Sequence, residues 1–244
     1  MSATNFRVRY RLTDAPITFE GELTDLSRID VQALDLARPI KNYRGQTHVG
    51  GWYYFVKAKR HLRFESGLER LRLMLLDYDP DITLVAPQPF QLLFHQEGRA
   101  LSHVPDLLIV RPGRVRLVED VKPLKFVDRP ANVLAFAATR QACERAGLEY
   151  SVWSEPPAVV AHNIRYLAGY RRVPQHLDEY APVLLDLARD TILLGTLASL
   201  AGPNHWVRPV LYHLVWTHRL TLDLTRPLSN RSEVSPGSRY RGKT

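Results

Sequence analysis

The stretch DLLIVRPGRVRLVEDVK, Asp106–Lys122, decides the fold. Two apolar runs flank a Pro-Gly-Arg turn, so it reads as a β-hairpin of Asp106–Arg111 and Val115–Lys122. Side chains on a strand alternate between faces. Along the second strand, Asp120 and Lys122 therefore point one way, and Glu119 and Val121 point the other. A three-residue loop, Pro112–Arg114, sets Asp106 opposite Asp120, whereas a two-residue loop sets it opposite Glu119. We adopt the first register, because it puts both carboxylates on the face that carries Lys122. Glu119 stays the alternative to Asp120.

Two carboxylates at one end of adjacent strands repel unless a cation lies between them. Hard cations such as Mg²⁺ take carboxylate oxygens, water and often a backbone carbonyl. A lysine beside such an ion stabilises charge developing on a phosphate, or orients the attacking water. An acid two residues before a lysine is, on its own, most often a surface ion pair. The order of elements around this one is more informative.

Upstream, ESGLERLRLMLLD (Glu65–Asp77) reads as a largely buried helix. It carries Glu69 among apolar neighbours, and a carboxylate so placed needs a partner. Glu65, one turn earlier, competes for the same role. Val85–Phe94 reads as one extended segment, with Pro87 and Pro89 arguing for a sheet edge. Trp52–Val56 reads as an aromatic strand continued by His61–Phe64, with Lys57, Lys59, Arg60 and Arg63 beside it. Ile40–Gly51 reads as loop, and Phe6–Leu23 as two strands around a Thr13–Pro16 turn. His103, three residues before Asp106, reads as a loop histidine.

Downstream, Pro130–Ala146 reads as a helix, with Asp128 near its start, Pro130 in its first turn and Gly147 as its stop. Leu148–Trp153 follows as a strand. Strand, helix and strand in that order predict a parallel pair with a right-handed crossover. Glu155–Pro156–Pro157 then marks a boundary. Beyond it the reading gives helices over Ala158–Tyr170, Pro182–Leu187, Asp190–Ala201 and Val207–His218, and a strand at Leu220–Leu224.

The 244 residues carry a net charge of +8, and they carry it unevenly. Residues 41–72 hold eight Lys/Arg against two Glu, and residues 207–244 hold seven against two acids. Two basic zones on a slightly acidic body suggest a polyanion partner. With one cysteine, Cys143, no internal disulfide can form, which fits a reducing compartment. Pro182–Ala201 is apolar but interrupted by Asp186, Arg189 and Asp190, too charged to span a bilayer. The expectation is a soluble, cytoplasmic protein without a membrane partner. There is no GxGxxG, GxxxxGK[ST], CxxC or HExxH, so nucleotide and zinc chemistry lack support.

The segments FESGLERLRLML, QPF at Gln88–Phe90, HVPDLLIV and VEDVKP, in that order, resemble the nuclease domain of the TnsA family. These are the endonuclease subunits of multi-subunit transposases, within the PD-(D/E)xK, restriction-endonuclease-like nucleases. The resemblance covers about 100 residues, from Trp52 to Glu155. It implies an α/β fold, with a restriction-endonuclease-like mixed sheet flanked by helices. It implies Glu69, Asp106, Asp120 and Lys122 as the catalytic set. One or two Mg²⁺ or Mn²⁺ ions would be held by Glu69, Asp106, Asp120 and the carbonyl of Val121. The implied activity is cleavage of double-stranded DNA at the 5′ ends of a mobile element, with a TnsB-like transposase and a TnsC-like ATPase as partners. The other readings are a stand-alone restriction- or repair-type nuclease, and a non-catalytic DNA- or protein-binding module on a nuclease fold.

The C-terminal part resembles a winged helix: helix, turn, second helix, wing strands. His213, Trp216, Thr217, His218, Arg219 and Arg226 would lie on or near that second helix and wing. With few basic residues on the helix, contact with a partner protein is favoured over contact with DNA. The expected organisation is a nuclease domain over 1–155 with an N-terminal β extension, a helical winged-helix-like domain over 156–230, and a disordered basic tail over 231–244.

Overall fold

The computed structural model describes residues 3–38 and 50–237. Most of the Ile40–Gly51 segment read as loop lies outside the described residues. The protein is a mixed α/β chain that falls into two compact units, Met1–Leu73 with Asp81–Glu155, and Met74–Pro80 with Pro156–Thr244.

The first unit contains β1 (Thr4–Leu12), β2 (Ala15–Gly21), β3 (Leu34–Asp35), β4 (Gly51–Phe55), β5 (Arg60–Phe64) and most of α1 (Gly67–Tyr78). It continues with β6 (Leu84–Pro87), β7 (Gln91–Gln96), β8 (Arg99–His103), β9 (Leu107–Val110) and β10 (Leu117–Val121). The one-turn α2 (Leu124–Val127), α3 (Pro130–Ala146) and β11 (Glu149–Trp153) complete it. One sheet runs β2-β1-β7-β8, with β3 also on β1, and a second runs β11-β10-β9-β6. In the second sheet, β9–β10 and β6–β9 are antiparallel and β10–β11 is parallel.

The parallel pair follows from α3, which returns the chain to the sheet. Pro130 opens that helix, and Gly147 closes it at φ 68°, a conformation glycine adopts without strain. Strand alternation divides the second sheet's faces. Leu108 and Val118 join Ala138, Ala142 and Cys143 of α3 in a buried cluster with Val8, Leu92 and Phe94 of the first sheet. On the opposite face, Glu119 meets Arg72 of α1.

Several segments differ from the sequence reading; in the helix expected over Asp190–Ala201, Ile192–Leu193 are a strand and the helix is Leu194–Ala201. His61–Phe64 does not continue the aromatic strand but turns back on it, with Trp52 opposite Arg63 and Tyr54 opposite His61. Lys59, at φ 51°, makes that turn without a glycine. Val85–Phe94 is two strands in two sheets, broken at Gln88, whose φ is 44°, and at Pro89. β6 is an edge strand. No strand is expected from the sequence at Arg99–His103. There β7 turns into β8 through Glu97 and Gly98, both at positive φ, the geometry of a tight hairpin turn.

The second unit contains α4 (Ala158–Leu167), α5 (Leu177–Leu187), β12 (Ile192–Leu193), α6 (Leu194–Ala201), α7 (Asn204–Trp216), β13 (Leu220–Leu222) and β14 (Glu233–Pro236). Its three strands form a sheet in the order β12-β14-β13. The disorder expected over 231–244 does not hold for 231–237. Val234 is fully buried and pairs with both Ile192 and Leu222. Residues 238–244 lie outside the described part. Among the described residues, no helix is long and apolar enough to cross a membrane.

Candidate active site

The β9–β10 register pairs Leu117 with Ile109, Val118 with Leu108 and Glu119 with Leu107. One step further, the same register sets Asp106 opposite Asp120. Residues directly opposite on an antiparallel pair share a face, so the two carboxylates face one side. They open, with the half-buried Lys122, into a cleft of about 360 Å³ whose walls include Arg38, Gln91, Ser102 and His103.

Asp106 is fixed through both backbone and side chain. Its carbonyl accepts from the Gln88 N–H at 2.8 Å, and its Oδ2 accepts from the Val121 N–H at 2.7 Å. Asp120 is 1% exposed and held by both oxygens. Its Oδ1 lies 2.8 Å from His103 Nε2, and its Oδ2 accepts from the Tyr150 hydroxyl at 2.5 Å. Lys122 is positioned by β11, its N–H donating to the Trp153 carbonyl at 2.9 Å.

The electrostatics follow from this crowding. Burial, then the charges of Asp120 and Glu69, lift the Asp106 carboxyl well above its ordinary value. The Val121 N–H and Lys122 pull the other way. Burial also raises Glu69, against its hydrogen bonds to the Glu65 N–H and to Ser66. Asp106 thus lies within reach of two further carboxylates, with the charge of Lys122 opposing theirs.

Glu69 is tied into the start of α1. Its Oε2 accepts from the Glu65 N–H and its Oε1 from the Ser66 hydroxyl, both at 2.8 Å, while Ser66 Oγ accepts from the Glu69 N–H at 3.1 Å. This reciprocal arrangement satisfies donors left unpaired at a helix start. Glu65 instead grips Arg38 at 2.6 Å. Glu119 is turned out of the cleft. It is 2% exposed and takes two hydrogen bonds from Arg72, at 2.7 and 3.0 Å, and one from Ser151 at 3.0 Å.

The structure therefore brings Asp106, Asp120 and Lys122 to one cleft, with Glu69 close enough for its charge to reach Asp106 and Lys122. Two further residues touch Asp120. His103 sits at the end of β8, its ring edge-on to Phe136. Tyr150 had no signal of its own, yet the parallel register supplies one. Val118 pairs with Tyr150 and Asp120 with Val152, so Tyr150 shares the Asp120 face two residues along.

Among the described residues, no group of three His, Cys, Asp or Glu side chains is disposed to hold a metal ion. The chemistry of the donors nevertheless suits a hard cation. They are carboxylates, the charges of Asp120 and Glu69 raise the proton affinity of Asp106, and no thiolate or second histidine lies among them. Comparison with protein families and with curated proteins finds no match for this chain.

Proposed function

We propose that the protein is a metal-dependent DNA endonuclease acting through Asp106, Asp120 and Lys122, with Glu69 nearby. The observation that carries this reading is the cross-strand opposition of Asp106 and Asp120 in a cleft shared with Lys122. Phosphodiester hydrolysis needs negative charge stabilised on a phosphate and a water delivered in line. Asp106, Asp120 and the Val121 carbonyl would hold Mg²⁺ or Mn²⁺, one or two ions, and the ion would lower the pKa of bound water and stabilise the phosphate. Lys122 puts a positive charge beside the reacting phosphate. His103 and Tyr150 keep the Asp120 carboxylate in one orientation. Glu69 fixes the start of α1 and adds negative charge to the cation's surroundings.

The restriction-endonuclease-like fold belongs to the same proposal. A sheet with a parallel β10–β11 pair, covered by α3 on one face and reached by α1 on the other, supports it. The resemblance to the TnsA family extends it to cleavage at the 5′ ends of a mobile element, alongside a TnsB-like transposase and a TnsC-like ATPase.

For the second unit we propose a winged-helix arrangement. Helix α5, strand β12, helices α6 and α7, and strands β13 and β14 follow in that order, with β14 central in the sheet. Its α7 is an unsuitable groove reader. Val207 and the whole run Val210–Trp216 are buried, and His213 is spent on the Tyr170 carbonyl at 2.8 Å. This supports a protein-contact role.

One observation favours the non-catalytic alternative. Both oxygens of Asp120 and both of Glu69 are occupied by donors from the protein itself. Nicking of supercoiled plasmid in Mg²⁺ or Mn²⁺ decides between the two. The nuclease reading requires nicking by the wild type and its loss in Asp106→Asn and Lys122→Ala. Absence of cation-dependent nicking would favour the binding module, and its persistence in those variants would overturn the assignment of Asp106 and Lys122.

A further inference from the structure

The β4–β5 hairpin carries cations with no acid among them. Gly51–Phe64 holds Lys57, Lys59, Arg60 and Arg63 and no Asp or Glu. Its two faces are chemically distinct. Tyr53, Phe55, Leu62 and Phe64 are buried on one side. On the other, Trp52 lies opposite Arg63 and Tyr54 opposite His61. Trp52 is 62% exposed, and the Arg63 guanidinium lies over its ring at 5.5 Å from the centroid. The Tyr54 and His61 rings are 5.1 Å apart.

A single exposed apolar side chain is ordinary on a protein surface. What sets this face apart is an exposed indole with a guanidinium laid over it. Among the described residues, neither Arg60 nor Arg63 pairs with a carboxylate. Arg60 donates to the Gln32 carbonyl at 3.0 Å, which orients the side chain without neutralising it. Arg63 has a buried Nε with no acceptor. One held cation, Arg63, among the rings of Trp52, Tyr54 and His61, with Lys59 and Arg60 at the turn end of the hairpin, matches a polymer of phosphates and sugars.

The hairpin's position names the polymer. Glu65, the residue after β5, holds Arg38, a wall of the cleft. The base of the hairpin is therefore at the cleft's edge. Each five-residue strand extends roughly 17 Å from there. That is about five base-pair steps of duplex.

We propose that the outer face and turn of the β4–β5 hairpin dock the phosphate backbone of double-stranded DNA, within about half a helical turn of the phosphate in the cleft. The identity of the partner rests on the nuclease reading; the docking surface rests on the hairpin's own charge and geometry. Lys59 and Arg60 at the turn supply the ionic contacts. Trp52, stiffened by Arg63, supplies contact with sugar and backbone.

The test measures binding without cleavage, using the full chain, a fluorescein-labelled random-sequence duplex and no divalent cation, over a series of KCl concentrations. The double variant Lys59→Asn, Arg60→Gln preserves the turn conformation and a donor for Gln32. It should bind about tenfold more weakly, and the slope of log affinity against log salt should fall by about 1.8, as two lost phosphate contacts require. Trp52→Ala should weaken binding several-fold and leave the slope unchanged. Wild-type affinity and slope in the double variant would overturn the proposal. So would a hairpin-dependent affinity for phosphatidylserine vesicles that equals the affinity for duplex. Nicking in Mg²⁺ separates the two readings. An Asp106→Asn chain that binds duplex normally tests the cleft alone, whereas hairpin variants that bind like wild type while nicking persists defeat only the docking surface.

Discussion

The imidazole Nε2 of His103 lies 2.8 Å from Oδ1 of the buried Asp120, and the Tyr150 hydroxyl occupies the other oxygen. A carboxylate opposite Asp106 is thereby held in one orientation from two sides. A hydrogen bond to a charged group contributes about 1.5–3 kcal/mol, and its loss leaves a buried acceptor unsatisfied. His103→Ala should lower cleavage by about 10–100-fold, the range seen when partners that orient metal ligands are removed. His103→Gln, which keeps a donor at similar reach, should recover part of that loss. Titrating Mn²⁺ against melting temperature should show weaker cation stabilisation in His103→Ala. A merely structural role predicts a lower melting temperature with the same cation response.

Asp106 should oppose stability at neutral pH. Its carboxyl is lifted on folding by burial and by the charges of Asp120 and Glu69. A lifted carboxyl keeps its proton in the native state where the unfolded chain has lost it. Its stabilising contribution is therefore present at acid pH and fades as pH rises from the ordinary 3.8 through the raised native value. Asp106→Asn removes the charge and keeps an oxygen for the Val121 N–H. The variant should melt higher at pH 7, by about 2–4 °C for each kcal/mol relieved. That gain should shrink toward pH 4. An unchanged or lower melting temperature at pH 7 would contradict the crowding of carboxylates in the cleft.

Glu119 and Arg72 form a separate buried pair, with side chains 3% and 18% exposed. Removing one partner strands the other's charge. Arg72→Leu should cost about 3–5 kcal/mol in urea unfolding, and Arg72→Leu with Glu119→Leu should recover most of it. Equal losses in the single and double variants would show that the pair is not coupled.

Cys143 is pushed up to about 12, first by burial and then by the charge of Asp120. It should therefore be inert to thiol reagents in the folded chain and react fully in denaturant. Rapid modification under native conditions would contradict its placement in the α3 core.

Some of this was legible in the sequence. The sequence leaves two loop lengths open at Pro112–Arg114; choosing the one that puts both acids on the Lys122 face gives the register that the β9–β10 pairing has. Pro130 and Gly147 mark the ends of α3 because their backbone preferences are local. What stayed hidden depended on residues behaving against type or on distant pairing. Lys59 turns the β4–β5 hairpin and Gln88 breaks β6 from β7, both at positive φ where their side chains are disfavoured. Alternation separated the faces of Glu119 and Asp120 but could not name Arg72, 47 residues away, as the group waiting for Glu119. Glu69 read as an acid in need of a partner, and its partners are the backbone and hydroxyl at the start of its own helix. Composition marked 231–237 as tail, while pairing of Val234 with two other strands gives that segment its order.

The adjacent acids Asp120 and Glu119 provide the most direct test, because the first faces the cleft and the second faces Arg72. Plasmid nicking in Mn²⁺ should be compared for Asp120→Asn and Glu119→Gln, each normalised to folded protein at a temperature where both retain structure. The account predicts that Asp120→Asn loses at least about 100-fold, while Glu119→Gln stays close to the wild type. Wild-type nicking by Asp120→Asn, or a loss confined to Glu119→Gln, would contradict it.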